Sequence, residues 1–158
     1  QCFARQYKKL LKAVKELRGN DSKVEVKCQN FLTCKDLPKV DLVITSPPYV
    51  TSYEYADLHQ LSSLWLNYTD DYRKLRKGSI GSIYYNNEAD IDVAKLNNTA
   101  KEIVDLLMKS DCPKAKVKSV ARYYLDMQDA VKRSSLMLNN DGMIFFVIGD
   151  TEYKELKY

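Results

Sequence analysis

Val40-Asp41-Leu42-Val43-Ile44-Thr45-Ser46-Pro47-Pro48-Tyr49 is the stretch from which the rest of the chain is read. Leu42, Val43 and Ile44 make a continuous apolar run, the pattern of a strand covered on both faces in a parallel sheet. Two adjacent prolines follow, and each fixes φ and lacks an N–H donor, so the ladder cannot continue and the loop is stiff. Its carbonyls stay free to accept, beside a Ser46 hydroxyl that can both donate and accept. Tyr49 adds a ring for stacking. The stretch therefore reads as a buried strand ending in a rigid acceptor pocket for a flat amine, flanked by an aromatic face.

Working outward, the alternation Lys23-Val24-Glu25-Val26-Lys27-Cys28 predicts an earlier strand. Before it, Leu10, Leu11, Val14 and Leu17 recur at helical spacing with lysines opposite, predicting a helix from Tyr7 to Leu17 that Gly19-Asn20-Asp21 stops. Downstream, a helix is expected from about Tyr55 to Leu66, with Leu58, Leu61, Leu64 and Trp65 as its core face. Asn67 to Asp92 is polar, Tyr-rich and irregular. Two more helices are expected near Val93 to Met108 and Ser119 to Leu138. Asn139-Asn140-Asp141-Gly142 then turns the chain into a third buried strand, Met143 to Ile148. There is no internal repeat. This order gives an α/β architecture with a mostly parallel sheet. Ligands of such sheets sit beyond the carboxyl ends of the strands, which selects two loops, Gln29-Asn30-Phe31 and Ser46 to Tyr49.

The 158 residues are 45% hydrophobic and 29% charged, the composition of one globular domain with a core of its own. No apolar run is long enough to cross a bilayer. Gln1 to Asn20 is rich in Lys and Arg without an apolar stretch, which argues against a secretory signal. Position 1 is not Met, so a trimmed chain is expected. Four cysteines lie scattered without a CxxC pair and there is one histidine, His59; the expectation is no metal and reduced cytosolic thiols. Cys28 and Cys34 read as small core residues, and His59 as structural. A net charge of +4 does not identify a nucleic-acid binder but is compatible with one, because phosphate neutralisation needs only a local basic face. Arg73, Lys74, Arg76 and Lys77, beside Tyr68, Tyr72, Tyr84 and Tyr85, would suit phosphate contacts and base stacking. The plainer reading of such a run is a solvated helix face. Lys114, Lys116 and Lys118 form a weaker second run.

Thr45-Ser46-Pro47-Pro48-Tyr49 resembles the fourth motif of the S-adenosylmethionine-dependent amino-methyltransferases of DNA, in the Ser-first form typical of cytosine-N4 enzymes of bacterial restriction-modification systems. Tyr53-Glu54-Tyr55, Leu64-Trp65-Leu66 and Leu75 to Ser82 are similar to segments that follow the motif there. Asp141-Gly142-Met143 through Gly149-Asp150 is similar to the next strand. The resemblance spans roughly Val24 to Asp150, and only the Pro-Pro motif in it is sharp. It implies a Rossmann-like sheet with flanking helices, S-adenosylmethionine as cofactor without a metal, and double-stranded DNA whose target base is flipped out to expose its amine. It also implies the bacterial cytosol or nucleoid as location. Carried over to these residues, Ser46 Oγ and the Pro47 carbonyl accept from the amine, Pro48 stiffens the loop, and Tyr49 stacks on the base. Asn30, Phe31 and Thr45 lie at the cofactor, and Arg73, Lys74, Arg76 and Lys77 at the DNA. Residues 1–158 would be the catalytic side of one domain, with 67–118 a DNA-contacting insertion.

The departures matter as much. The family's Phe-x-Gly-x-Gly cofactor loop is not formed by any of the five glycines, and its acidic strand end is not recognisable. The resemblance places both before Gln1, or downstream in permuted members. If the two early strands are the family's third and fourth, the first and second belong between them, so the sheet has a hole. Open edges are a liability, and a missing segment or partner chain is expected to fill it. Adenine-N6 methylation, RNA or protein amide methylation, and a non-catalytic DNA-binding fragment or half of a split enzyme remain as alternatives.

Overall fold

The apolar run around Val43 does form a strand, and its partner is the one expected near the other end of the chain. The computed structural model describes residues 2–17, 23–27, 29–50, 53–76, 79–80, 82, 91–149, 152–153 and 156–157. Strand β1 (Val40–Thr45) pairs in parallel with β2 (Leu138–Phe146), with Leu42 beside Met143 and Ile44 beside Phe145. The Val147 N–H donates to the Thr45 carbonyl at 2.9 Å, extending the pairing to the edge of the Ser-Pro-Pro loop. The Asn139–Gly142 turn lies inside β2 as an irregularity of register between Val40 and Leu42. Asp141 has a φ of 65° there, and Asn139 Nδ2 donates to Asp41 Oδ1 at 2.8 Å. A Cβ on Gly142 would meet the Asp41 carbonyl at 3.1 Å, so the approach of the two strands here leaves little room for a side chain.

Six further elements precede or connect these strands: α1 (Cys2–Leu17), α2 (Tyr55–Leu58), α3 (Gln60–Trp65), a 3-10 turn at Tyr72–Arg76, another at Val93–Lys95, and α4 (Asn98–Lys109). The long α5 (Lys114–Met137) then runs without a linker into β2, and a short antiparallel pair, β3 (Glu152–Tyr153) and β4 (Leu156–Lys157), follows. The core lies between α4 and α5. Leu96, Ala100, Val104 and Leu107 recur along α4 and its entry, and meet Val117, Val120, Ala121 and Tyr123 of α5, with Val50 from the loop after β1. Asn97 caps α4 by accepting from the Ala100 N–H at 2.8 Å, satisfying a donor that the helix cannot. Gln128 of α5 ties the same corner by accepting from the Asn97 N–H and donating to the Lys95 carbonyl. At the other end of α5, Lys39 Nζ donates to the carbonyls of Leu136 and Leu138, placing a cation on the negative end of the helix dipole.

Several expectations are corrected. Residues 23–27 form no strand: Val24 and Val26 are 82% and 88% exposed, and among the described residues nothing pairs with them. Alternation specifies a face only where an edge is present to receive it. Cys28 lies outside the described residues. The expected helix from Tyr55 to Leu66 breaks at His59 into α2 and α3, and its intended core face points outward, with Leu61 79% and Trp65 86% exposed. Ala56 and Ser63 are the buried positions instead. Nor is β1 covered on both faces: Val43, Thr45 and Phe146 turn toward α5, while Leu42, Ile44, Met143 and Phe145 stay exposed. Among the described residues no helix is long and apolar enough to cross a membrane.

Candidate functional site

Ser46 leaves the carboxyl end of β1 exposed, with Pro47, Pro48 and Tyr49 half-buried behind it and Val50 anchored in the helical core. The anchor and the two prolines hold the loop from both sides. A cavity of about 340 Å³ opens beneath it. Thr45, Ser46, Pro47 and Pro48 form one wall, Phe31 and Ile80 others, and Met127, Ala130, Ser134 and Met137 of α5 the floor. Those four follow helical spacing, which presents one face of α5 to the loop. Five of the residues selected from the sequence thus meet around one space.

Tyr49 is placed differently. Its ring does not line the cavity but lies against Gly149 just beyond β2, where an added Cβ would meet the ring at 3.2 Å. Tyr53 and Tyr55 continue the aromatic surface, with successive ring centroids 6.3 and 6.4 Å apart and tilted planes. Glu54, between them, accepts from Ser82 Oγ at 2.6 Å through Oε2.

Asn30 serves its own turn. Its Oδ1 accepts from the Leu32 N–H at 2.9 Å and its carbonyl accepts from Thr33 and Cys34, an Asx-type turn; the loop was selected as the end of a strand that does not form. Phe31 is carried by that turn, and Arg133 of α5 reaches over it. Arg133 Nε donates to the Phe31 carbonyl at 2.8 Å, Nη2 donates to the Cys34 carbonyl, and the guanidinium lies 5.9 Å from the Phe31 ring centre. Sequence reasoning missed Arg133, because its partners are about a hundred residues away. Gly149 was visible only as part of a strand ending.

The basic run is occupied by carboxylates. Arg73 Nε pairs with Asp71 at 2.9 Å and Lys74 with Asp70 at 2.8 Å, both on the surface. Those hydrogen bonds hold the Asp71 and Asp70 carboxyls below their ordinary range and the two basic groups above theirs. Arg76 pairs with Asp57 of α2 at 2.7 Å, is itself mostly buried, and lies over the Tyr72 ring. Lys77, Tyr84 and Tyr85 lie outside the described residues. Among the described residues no three His, Cys, Asp or Glu side chains gather as a metal site would need. His59 sits exposed at the α2–α3 break, where its carbonyl accepts from Ser62 Oγ.

The cavity brings an aromatic side chain and several hydroxyls together. Phe31 lines it on one side and Ser46 and Pro47 on another. Among the described residues no carboxylate lines it. Comparison with protein-family models, with curated proteins and with solved structures returns no match.

Proposed function

We propose that this chain is the base-binding side of an S-adenosylmethionine-dependent DNA methyltransferase that modifies an exocyclic amino group, cytosine N4. One observation carries the reading. Thr45-Ser46-Pro47-Pro48-Tyr49 ends the first strand of a parallel pair, where α/β sheets bind ligands, and Ser46 stands exposed beside a cavity there. Ser46 Oγ and the Pro47 carbonyl accept the two N–H bonds of the amine and hold its lone pair outward. The stiff Pro-Pro loop keeps that geometry without reorganisation. Tyr49, backed by Gly149, presents its ring to the base. S-Adenosylmethionine, when bound, supplies the methyl group. A carboxylate for its ribose comes from a further segment or partner chain, which also covers the apolar outer face of β1 and β2. Adenine N6 is the nearest alternative target, since the same acceptors suit its amine.

The test is single-turnover methylation of duplex DNA by the complete protein, with this chain carrying Ser46→Ala or Tyr49→Ala. Ser46→Ala should slow methyl transfer by about tenfold or more while cofactor affinity holds. Tyr49→Ala should lose roughly 1–3 kcal/mol of base binding. Transfer at the wild-type rate by the double variant would leave Ser46 to Tyr49 as a stiff turn and remove the assignment.

A further inference from the structure

Arg133 has no role in the reading above, yet it reaches about a hundred residues back along the chain to the turn beside the cavity. It leaves α5 one residue before Ser134, whose buried side chain lines the cavity floor. From there it donates to two carbonyls of the 31–34 turn and covers the Phe31 ring. Its Nη2 also approaches Cys34 Sγ at 3.6 Å, and the Cys34 thiol donates back to the Phe31 carbonyl at 3.4 Å. A planar guanidinium can bridge two carbonyls and stack at once; an ammonium cannot. Hydrogen bonds within the 30–34 turn set its shape, and Arg133 ties it to α5. Gln29, Asn30 and Thr33 are exposed, and residues 23–27 before them pair with no strand among the described residues.

We propose that Arg133 is a positioning residue for the cofactor: it locks the turn carrying Phe31 onto α5, so that the ring is already in place to receive the adenine of S-adenosylmethionine. This rests on the methyltransferase reading. The chain of rigid parts is short. α5 passes directly into β2, β2 pairs with β1, and β1 ends in Ser46 and Pro47. Arg133 therefore sets the distance between the ring that takes the adenine and the acceptors that take the amine. Without it, Phe31 samples positions that do not match, and part of the binding free energy is lost in ordering the turn.

S-Adenosylhomocysteine titrated calorimetrically into the complete protein tests this without requiring turnover. Arg133→Ala should weaken its binding about tenfold, and raise KM for the cofactor with kcat at saturation little changed. Affinity for duplex DNA should stay as in wild type. Arg133→Lys should recover only a fraction, and Phe31→Leu, which keeps the carbonyl bonds, should reproduce the loss. If Arg133→Ala does not fold, Arg133→Lys and Phe31→Leu carry the same test. Wild-type cofactor affinity in these variants, or equal loss of DNA and cofactor binding, would overturn the positioning role and leave the methyltransferase reading standing. No binding by the wild-type complete protein would overturn that reading and this inference together.

Discussion

Three arginine and lysine side chains that look alike in the sequence differ in what holds them. Arg73 and Lys74 pair with Asp71 and Asp70 on the surface, where such pairs contribute little. Arg76 is mostly buried against Asp57 and Tyr72 and clips the 3-10 turn to α2. Replacing Arg73 and Lys74 with Ala should therefore make the salt dependence of DNA binding shallower, by somewhat less than one unit of slope per lost phosphate contact. Arg76→Ala should instead lower the melting temperature. An unchanged slope for the first pair would assign them to ordinary solvated surface. A second residue-scale expectation concerns Asp126, 5% exposed on α5. Burial raises its carboxyl pKa, against the opposing effect of Arg122 at 3.0 Å. A raised carboxyl pKa means the folded state holds the proton more tightly. The resulting stability is present below the unfolded pKa and is lost as pH rises through the folded one. Asp126→Asn should accordingly melt higher than wild type at neutral pH, and the difference should close below about pH 4. Thermal melts across pH, read by circular dichroism, measure both.

At the scale of elements, stability resides in α4 and α5. Leu107 is 1% exposed between them, so Leu107→Ala should cost about 2–5 kcal/mol in urea unfolding. Leu61, 79% exposed on α3, should cost under about 0.5 kcal/mol in the isolated chain. A large cost at Leu61 would mean that α3 is covered after all. The two long helices near Val93–Met108 and Ser119–Leu138 were legible because 3.6-residue periodicity is a property of one segment alone, although α5 begins earlier, at Lys114, and α4 later, at Asn98. Strand pairing is not local. Lys23–Lys27 alternates like a strand and pairs with nothing among the described residues, whereas Val40–Thr45 finds β2 almost a hundred residues on. Burial is not local either, so Leu58, Leu61 and Trp65 carry a helical stripe that stays exposed. Ser46, Pro47 and Pro48, singled out for their chemistry, line one cavity with Phe31, which was singled out as following a strand that does not form. Arg133 was not singled out, because one arginine in a long polar helix carries no sign of the turn it holds.

For the whole molecule, the outer face of β1 and β2 is the feature that most needs explanation. Leu42, Ile44, Met143 and Phe145 are side by side and exposed, while parallel sheets are covered on both faces. The function proposed above calls for further polypeptide over this face. The measurement that bears most directly on that account is the chemical identity of the product. Duplex DNA should be incubated with labelled S-adenosylmethionine and the complete protein, then digested to nucleosides and resolved by mass. The account predicts label in N4-methylcytosine, lost when this chain carries Ser46→Ala. Label in N6-methyladenine would move the target to adenine while keeping the site, and DNA left unlabelled by the wild-type complete protein would contradict the account.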